Sequence, residues 1–167
     1  MDEKSRGEQE HWSPVLNTEL LPTFLKCKRE NESWIPDFDI WDYLSLSTNA
    51  DLAAAFFKLF WPDFVEINGC VLLRHKYSLE GFANWLQHLN GNKARVEAMM
   101  NHVHILDLFP NSPKDDVHKE ELHDFLARAL TLSWKAALRE AFPEKHFVVT
   151  LTHGYGPEVS FHQGESE

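Results

Sequence analysis

Cysteine is scarce in this chain: Cys27 and Cys70 are the only two in 167 residues. They form no CxxC pair and no ladder of spacings, which argues against a disulfide framework or a zinc site and leaves two reduced, buried thiols as the expectation. Basic side chains are also few. Sixteen Lys and Arg face 26 Asp and Glu, for a formal charge of -10. Such a field repels phosphate backbones, so nucleic acid is not an expected partner and a basic protein surface is. No apolar run approaches the ~18 residues of a membrane span, and the opening MDEKSRGEQEHWSP has no hydrophobic core of a signal peptide. The expected location is the cytoplasm, with no membrane partner. Also missing are GxSxG, GxxxxGK[ST] and GxGxxG. The one GYG lies between strand-like runs and opens no helix, so no nucleotide or other cofactor is expected.

What is present is a globular composition, 43% hydrophobic and 25% charged, with 12 Phe, 6 Trp and 3 Tyr. Those rings supply large buried area per residue, or line an interface. Residues 1–14 are charged and aperiodic and read as a disordered tail, with residues 15–167 forming one domain. From Val15 to Leu46 a helical rhythm is interrupted by Pro22 and Pro36, which predicts an irregular arm pinned by Trp34, Phe38 and Trp41.

The signals then sharpen. Ser47, Thr48 and Asn49 offer N-caps to a helix carrying Leu52, Phe56, Leu59 and Phe60, which must stop near Trp61-Pro62. Asn68-Gly69 between Phe64–Ile67 and Cys70–Leu73 predicts a hairpin with a type I′ turn. Ser78 caps a helix ended by Asn90-Gly91. A third helix starts near Asn92, with Val96, Met99, Met100, Val103 and Leu106 as its inner stripe. Ser112-Pro113, with Asp115, opens a long helix halted at Phe142-Pro143. Alternation at 146–152 and 158–162 around GYGP predicts a second hairpin. The expected fold is α+β: one antiparallel sheet of about four strands, from hairpins at about 64–75 and 146–163, covered on one face by three or four helices.

Candidate site residues are few. Glu97, Asn101 and His104 fall on one stripe of the third helix, at i, i+4 and i+7, where carboxylate, amide and imidazole together could bind a polar ligand or handle protons; Glu66 or His75 of the first hairpin could face them. The bland alternative is a solvated helix face. A metal is conceivable at His102, His104 and Asp107: on a strand an HxH pair gathers both rings, whereas on a helix the two diverge by about 200°. His118 and His123 in HKEELHD are five apart, not the four that HExxH requires. Asp37, Asp39 and Asp42 lack the glycine and the closing Glu of a calcium loop.

With enzyme motifs absent and no catalytic residue identified, the expected function is non-catalytic: an acidic module that binds a basic protein through carboxylates and exposed aromatics, as an adaptor or antagonist. The alternative is a small hydrolase or metal-binding enzyme built around residues 97–107.

Overall fold

The computed structural model describes residues 15–111 and 117–164. Its helices are α1 (Pro22–Asn31), α2 (Ile40–Ser47), α3 (Ala50–Phe60), α4 (Leu79–His88), α5 (Lys93–Met100), α6 (Ile105–Leu108) and α7 (Lys119–Ala141). The strands are β1 (Phe64–Ile67), β2 (Cys70–Leu73), β3 (Val103–His104), β4 (Phe147–Gly154) and β5 (Gly156–Gln163). The α+β class and both hairpins are as expected. The predicted cap of the long helix at Ser112, Pro113 and Asp115 lies outside the described residues, as does the 1–14 tail. No described helix is long and apolar enough to cross a membrane.

Local chemistry sets most element boundaries. The side chains of Asn49, Ser78 and Asn92 accept the backbone N–H of Leu52, Gly81 and Arg95, each an N-cap bond that satisfies a donor left over by the helix start. Asn68 and Gly69 take φ of 52° and 80°, the two positive values that a type I′ turn requires. The last hairpin reverses around Tyr155. Gly156 there has φ 110°, and a Cβ on it would lie 2.9 Å from Leu106 Cδ1.

The strands do not form the single sheet expected from two hairpins. β1 and β2 pair only with each other, while β5 stands between β3 and β4 in a separate three-stranded antiparallel sheet. Helices also lie on two sides, not one. α7 packs on β4 and β5, and its Ala127, Leu130, Trp134 and Leu138 share a core with Val71, Leu73, Val159 and Phe161. On the opposite side Cys70 and Leu72 pack with Phe82 of α4 and with Val96 and Met100 of α5. The reason is in β2: Cys70-Val71-Leu72-Leu73 is apolar at every position, so the strand must be buried on both faces. Phe161 sits at the centre, with Phe64, Trp134 and Phe147 edge-on at 5.7, 5.9 and 6.0 Å, the geometry favoured by aromatic quadrupoles.

The segment read as an irregular arm is mostly regular helix. Pro22 occupies the first turn of α1, where a missing N–H costs nothing. Asp39 and Asp42 form a capping box on α2. Of the three aromatics expected to pin the arm, only Phe38 does so: it is buried against Phe24, which also meets Tyr43 edge-on. Trp34 and Trp41 are 84% and 72% exposed.

Candidate functional site

The third helix ends earlier than its apolar stripe implied, and this reassigns every candidate residue on it. α5 stops at Met100, Val103 and His104 pair with Val159 and Glu158 as β3, and Leu106 belongs to α6. His104 is therefore not on the helical stripe with Glu97 and Asn101.

Those two are not a solvated face either; both are fully buried. Glu97 Oε1 accepts the Val71 N–H at 2.7 Å and the Gln163 side-chain amide at 2.5 Å, and Oε2 accepts the Gln163 backbone N–H at 2.6 Å. Asn101 Oδ1 accepts the Leu73 N–H at 2.9 Å, while its Nδ2 donates to the carbonyls of Val71 (2.9 Å) and Phe161 (3.3 Å). Val71 and Leu73 present these groups on the edge of β2 away from β1, and Phe161 and Gln163 lie on β5 beyond the reach of the short β3. The two side chains thus stand in for a missing strand, splicing two open edges that would otherwise be buried and unpaired. Gln163 adds a bond to the Gly69 carbonyl at 2.7 Å, and Ser160 Oγ donates to Ala98 O. Bonded to the backbone of β2 and β5 and to the Gln163 side chain, the Glu97–Asn101 pair does structural work. Cys70, beside it, has its thiol pushed up by burial and by the Glu97 charge, which fits the expected inert thiol; Cys27 is only half-buried.

His102 and His104 approach each other, with ring centroids 5.4 Å apart and near-perpendicular planes. His102 Nδ1 is hydrogen-bonded to the Met99 carbonyl, and Lys76 Nζ donates to the His102 carbonyl. Burial pulls the Lys76 ammonium down, and the charges of Asp107 and Glu158 partly restore it. His104 Nδ1 is shielded from solvent without a hydrogen-bond partner, 3.7 Å from Glu158 Oε2 across the β3–β5 pair. Among the described residues no group of three His, Cys, Asp or Glu side chains could hold a metal ion. Glu66 is exposed and ion-paired to Lys145 at 2.7 Å, apart from the Glu97 network.

Reading the sequence missed two features. Asp124 and His153, 29 residues apart, meet at 2.7 Å, and Arg128 Nε bonds the other Asp124 oxygen at 2.7 Å. Burial raises the Asp124 carboxyl, but the bonds from His153 and Arg128 outweigh it, so the group sits below its ordinary value. This pair edges an open cleft of about 730 Å³ walled by Leu106, Tyr155 and Pro157. Both oxygens of the Asp124 carboxylate are taken up by this pair and Arg128.

The second feature is α3. Its sequence, ADLAAAFFKLF, is apolar nearly all round, a composition that belongs to a buried helix, yet none of its residues is buried. At about 100° per residue, Leu59 and Phe60 face the main core, while Phe57 and Trp61 point roughly 130° away. Trp134 Nε1 donates to the Leu59 carbonyl at 2.8 Å and ties the inner side to α7. On the outer side Phe57 stacks on Trp61, with centroids 6.4 Å apart, and remains 56% exposed; Leu52 and Phe56, on the inner stripe with Leu59 and Phe60, are still 45% and 43% exposed, although Phe56 stacks on Phe109. The signal was available in the sequence as a helix whose polar stripe is no more than Asp51 and Lys58. Comparison with protein-family models, curated proteins and solved structures finds no match for this chain.

Proposed function

We propose that the protein is a non-catalytic interaction module, an adaptor or antagonist, that binds a basic protein partner through the outer face of α3. One observation carries the reading: a helix composed like a core element stands on the surface, and contiguous exposed apolar area of that kind marks an interaction site. Charge supports the sign of the partner. Between residues 32 and 63 the chain carries Glu32, Asp37, Asp39, Asp42, Asp51 and Asp63 against one basic residue, Lys58, which Asp63 holds at 2.7 Å. Asp51 in the first turn of α3 and Asp63 just past its end add acidic charge to this element, and such charge steers a basic partner in while the apolar contact holds it. Two free cysteines agree with a reducing compartment such as the cytoplasm.

The test is affinity capture from lysate of the cells that make the protein, comparing wild type with Phe57→Glu at low and high salt. The expected result is a basic protein retained by wild type, released as salt rises, and absent from the variant. Retention of nothing, or equal retention by the variant, refutes the reading.

A further inference from the structure

The outer edge of β4 is open, and its two ends complement each other. We infer that a second copy of this chain pairs with it: two β4 strands lie antiparallel about a two-fold axis at Thr150 and join the three-stranded sheets of two copies into one. This does not rest on the reading of α3.

The register fixes which backbone groups point outward. The Gly164 N–H bonds the His146 carbonyl at 3.0 Å, while the Gln163 N–H and the Phe161 carbonyl turn away from β4 to Glu97 and Asn101. Antiparallel pairs alternate in this way, so Phe147, Val149, Leu151 and His153, opposite Gln163, Phe161, Val159 and Pro157, turn their backbone groups away from β5. β4 has no neighbouring strand on that side, and among the described residues no hydrogen bond reaches those groups. Sheet edges are ordinarily blunted by proline, charge or a bulge. The β4 sequence FVVTLTHG has no proline and no Lys, Arg, Asp or Glu, and its pairing runs without a bulge. Such an edge is a template for another strand.

Charge selects which strand. At the Phe147 end a hollow of about 180 Å³ is lined by Lys135, Arg139 and Lys145, and by no described carboxylate. At the His153 end the cleft is lined by Glu120, Glu121 and Asp124, with Lys119 the one Lys or Arg. Glu66 holds Lys145, and Arg128 and His153 hold Asp124, but Lys135 and Arg139 have no ion-pair partner among the described residues. A two-fold axis at Thr150 sets Val149 against Leu151 and Phe147 against His153, so each copy's cationic end meets the other's acidic end. The same register brings Tyr155, 89% exposed at the hairpin tip, opposite Lys145 of the second copy, where a ring can cover the cation. At physiological ionic strength charges are screened beyond about 8 Å, so these facing side chains outweigh the net -10 of each copy.

Sedimentation equilibrium of the whole protein over a concentration series measures the dimer, and amide exchange followed by NMR locates it. The expected result is a reversible dimer in which the Val149 and Leu151 amides gain protection as concentration rises, while Val148 and Thr150, already bonded to β5, change little. Lys135→Glu with Arg139→Glu should weaken the dimer at least about tenfold. Glu120→Lys with Glu121→Lys should weaken it too, although that pair makes the protein less acidic, and all four changes together should restore it. The four positions are exposed, so the variants are expected to fold, which circular dichroism checks. Phe57→Glu should leave the dimer unchanged. A monomer throughout, a dimer with unprotected Val149 and Leu151 amides, protection that does not depend on concentration, or indifference to the charge reversals overturns the inference. A dimer lost in Phe57→Glu overturns it in favour of pairing through α3.

Discussion

Glu97 and Asn101 differ in what they can accept and donate, and the groups around each match that difference. Glu97 receives three N–H donors and gives none, so a carboxylate is the group that fits. Glu97→Gln turns one acceptor into an NH₂ facing a donor, and the expected loss is about 2–4 kcal/mol in urea unfolding. Asn101→Asp removes the donor to the Val71 and Phe161 carbonyls and buries a charge, with an expected loss of similar size; a change below about 0.5 kcal/mol in both would mean that water serves these groups equally well. Asp124 makes a pH prediction. Its carboxyl titrates below the ordinary 3.8 in the folded protein, so its contribution is complete above that pH and is lost as pH falls through the lower folded value. The stability gap between wild type and Asp124→Asn, measured by urea unfolding from about pH 5 to about pH 2, should narrow across this window; parallel curves would show that the carboxylate is not linked to folding.

Among the elements, those whose signals are local were the legible ones. The Asn68-Gly69 hairpin and the helices opened by Asn49, Ser78 and Asn92 rest on contacts within a few residues, and they appear where the residues place them. The third helix was misjudged because Val103 and Leu106 keep its apolar period by coincidence: Val103 is buried as a strand residue paired with Val159, a contact 56 positions away. α3 was legible as a helix but not as a surface, since nothing local says whether another element will cover it. Its attachment to α7 can be tested through Trp134→Phe, which keeps an aromatic side chain, loses the bond to the Leu59 carbonyl and leaves a small cavity in the core. About 2–3 kcal/mol of stability should go, and hydrogen exchange in α3 should quicken relative to α7; uniform quickening would mean that the bond does not specifically anchor α3.

At the scale of the molecule, the Glu97–Asn101 splice ties two small sheets that also share a core into one body. Native-state hydrogen exchange should then give Val71 and Gln163 amides the same opening free energy, because one carboxylate binds both. Val71 exchanging much faster than Gln163 would show the β1–β2 hairpin opening alone. The Gln163 side chain, tied to both Gly69 and Glu97, is a second link in the same splice.

Composition, caps and turn dipeptides sufficed for the class of fold, the two hairpins and the acidic character, because these depend on the preferences of residues close in the chain. Tertiary contact decided that Glu97 and Asn101 are buried braces and not a binding face, that His104 is on a strand, that Asp124 meets His153, and that Trp34 and Trp41 stand in solvent. The physical reason is common to all four. A polar or aromatic side chain is compatible with surface or interior, and which one it occupies depends on whether distant backbone or a distant apolar face arrives to satisfy it.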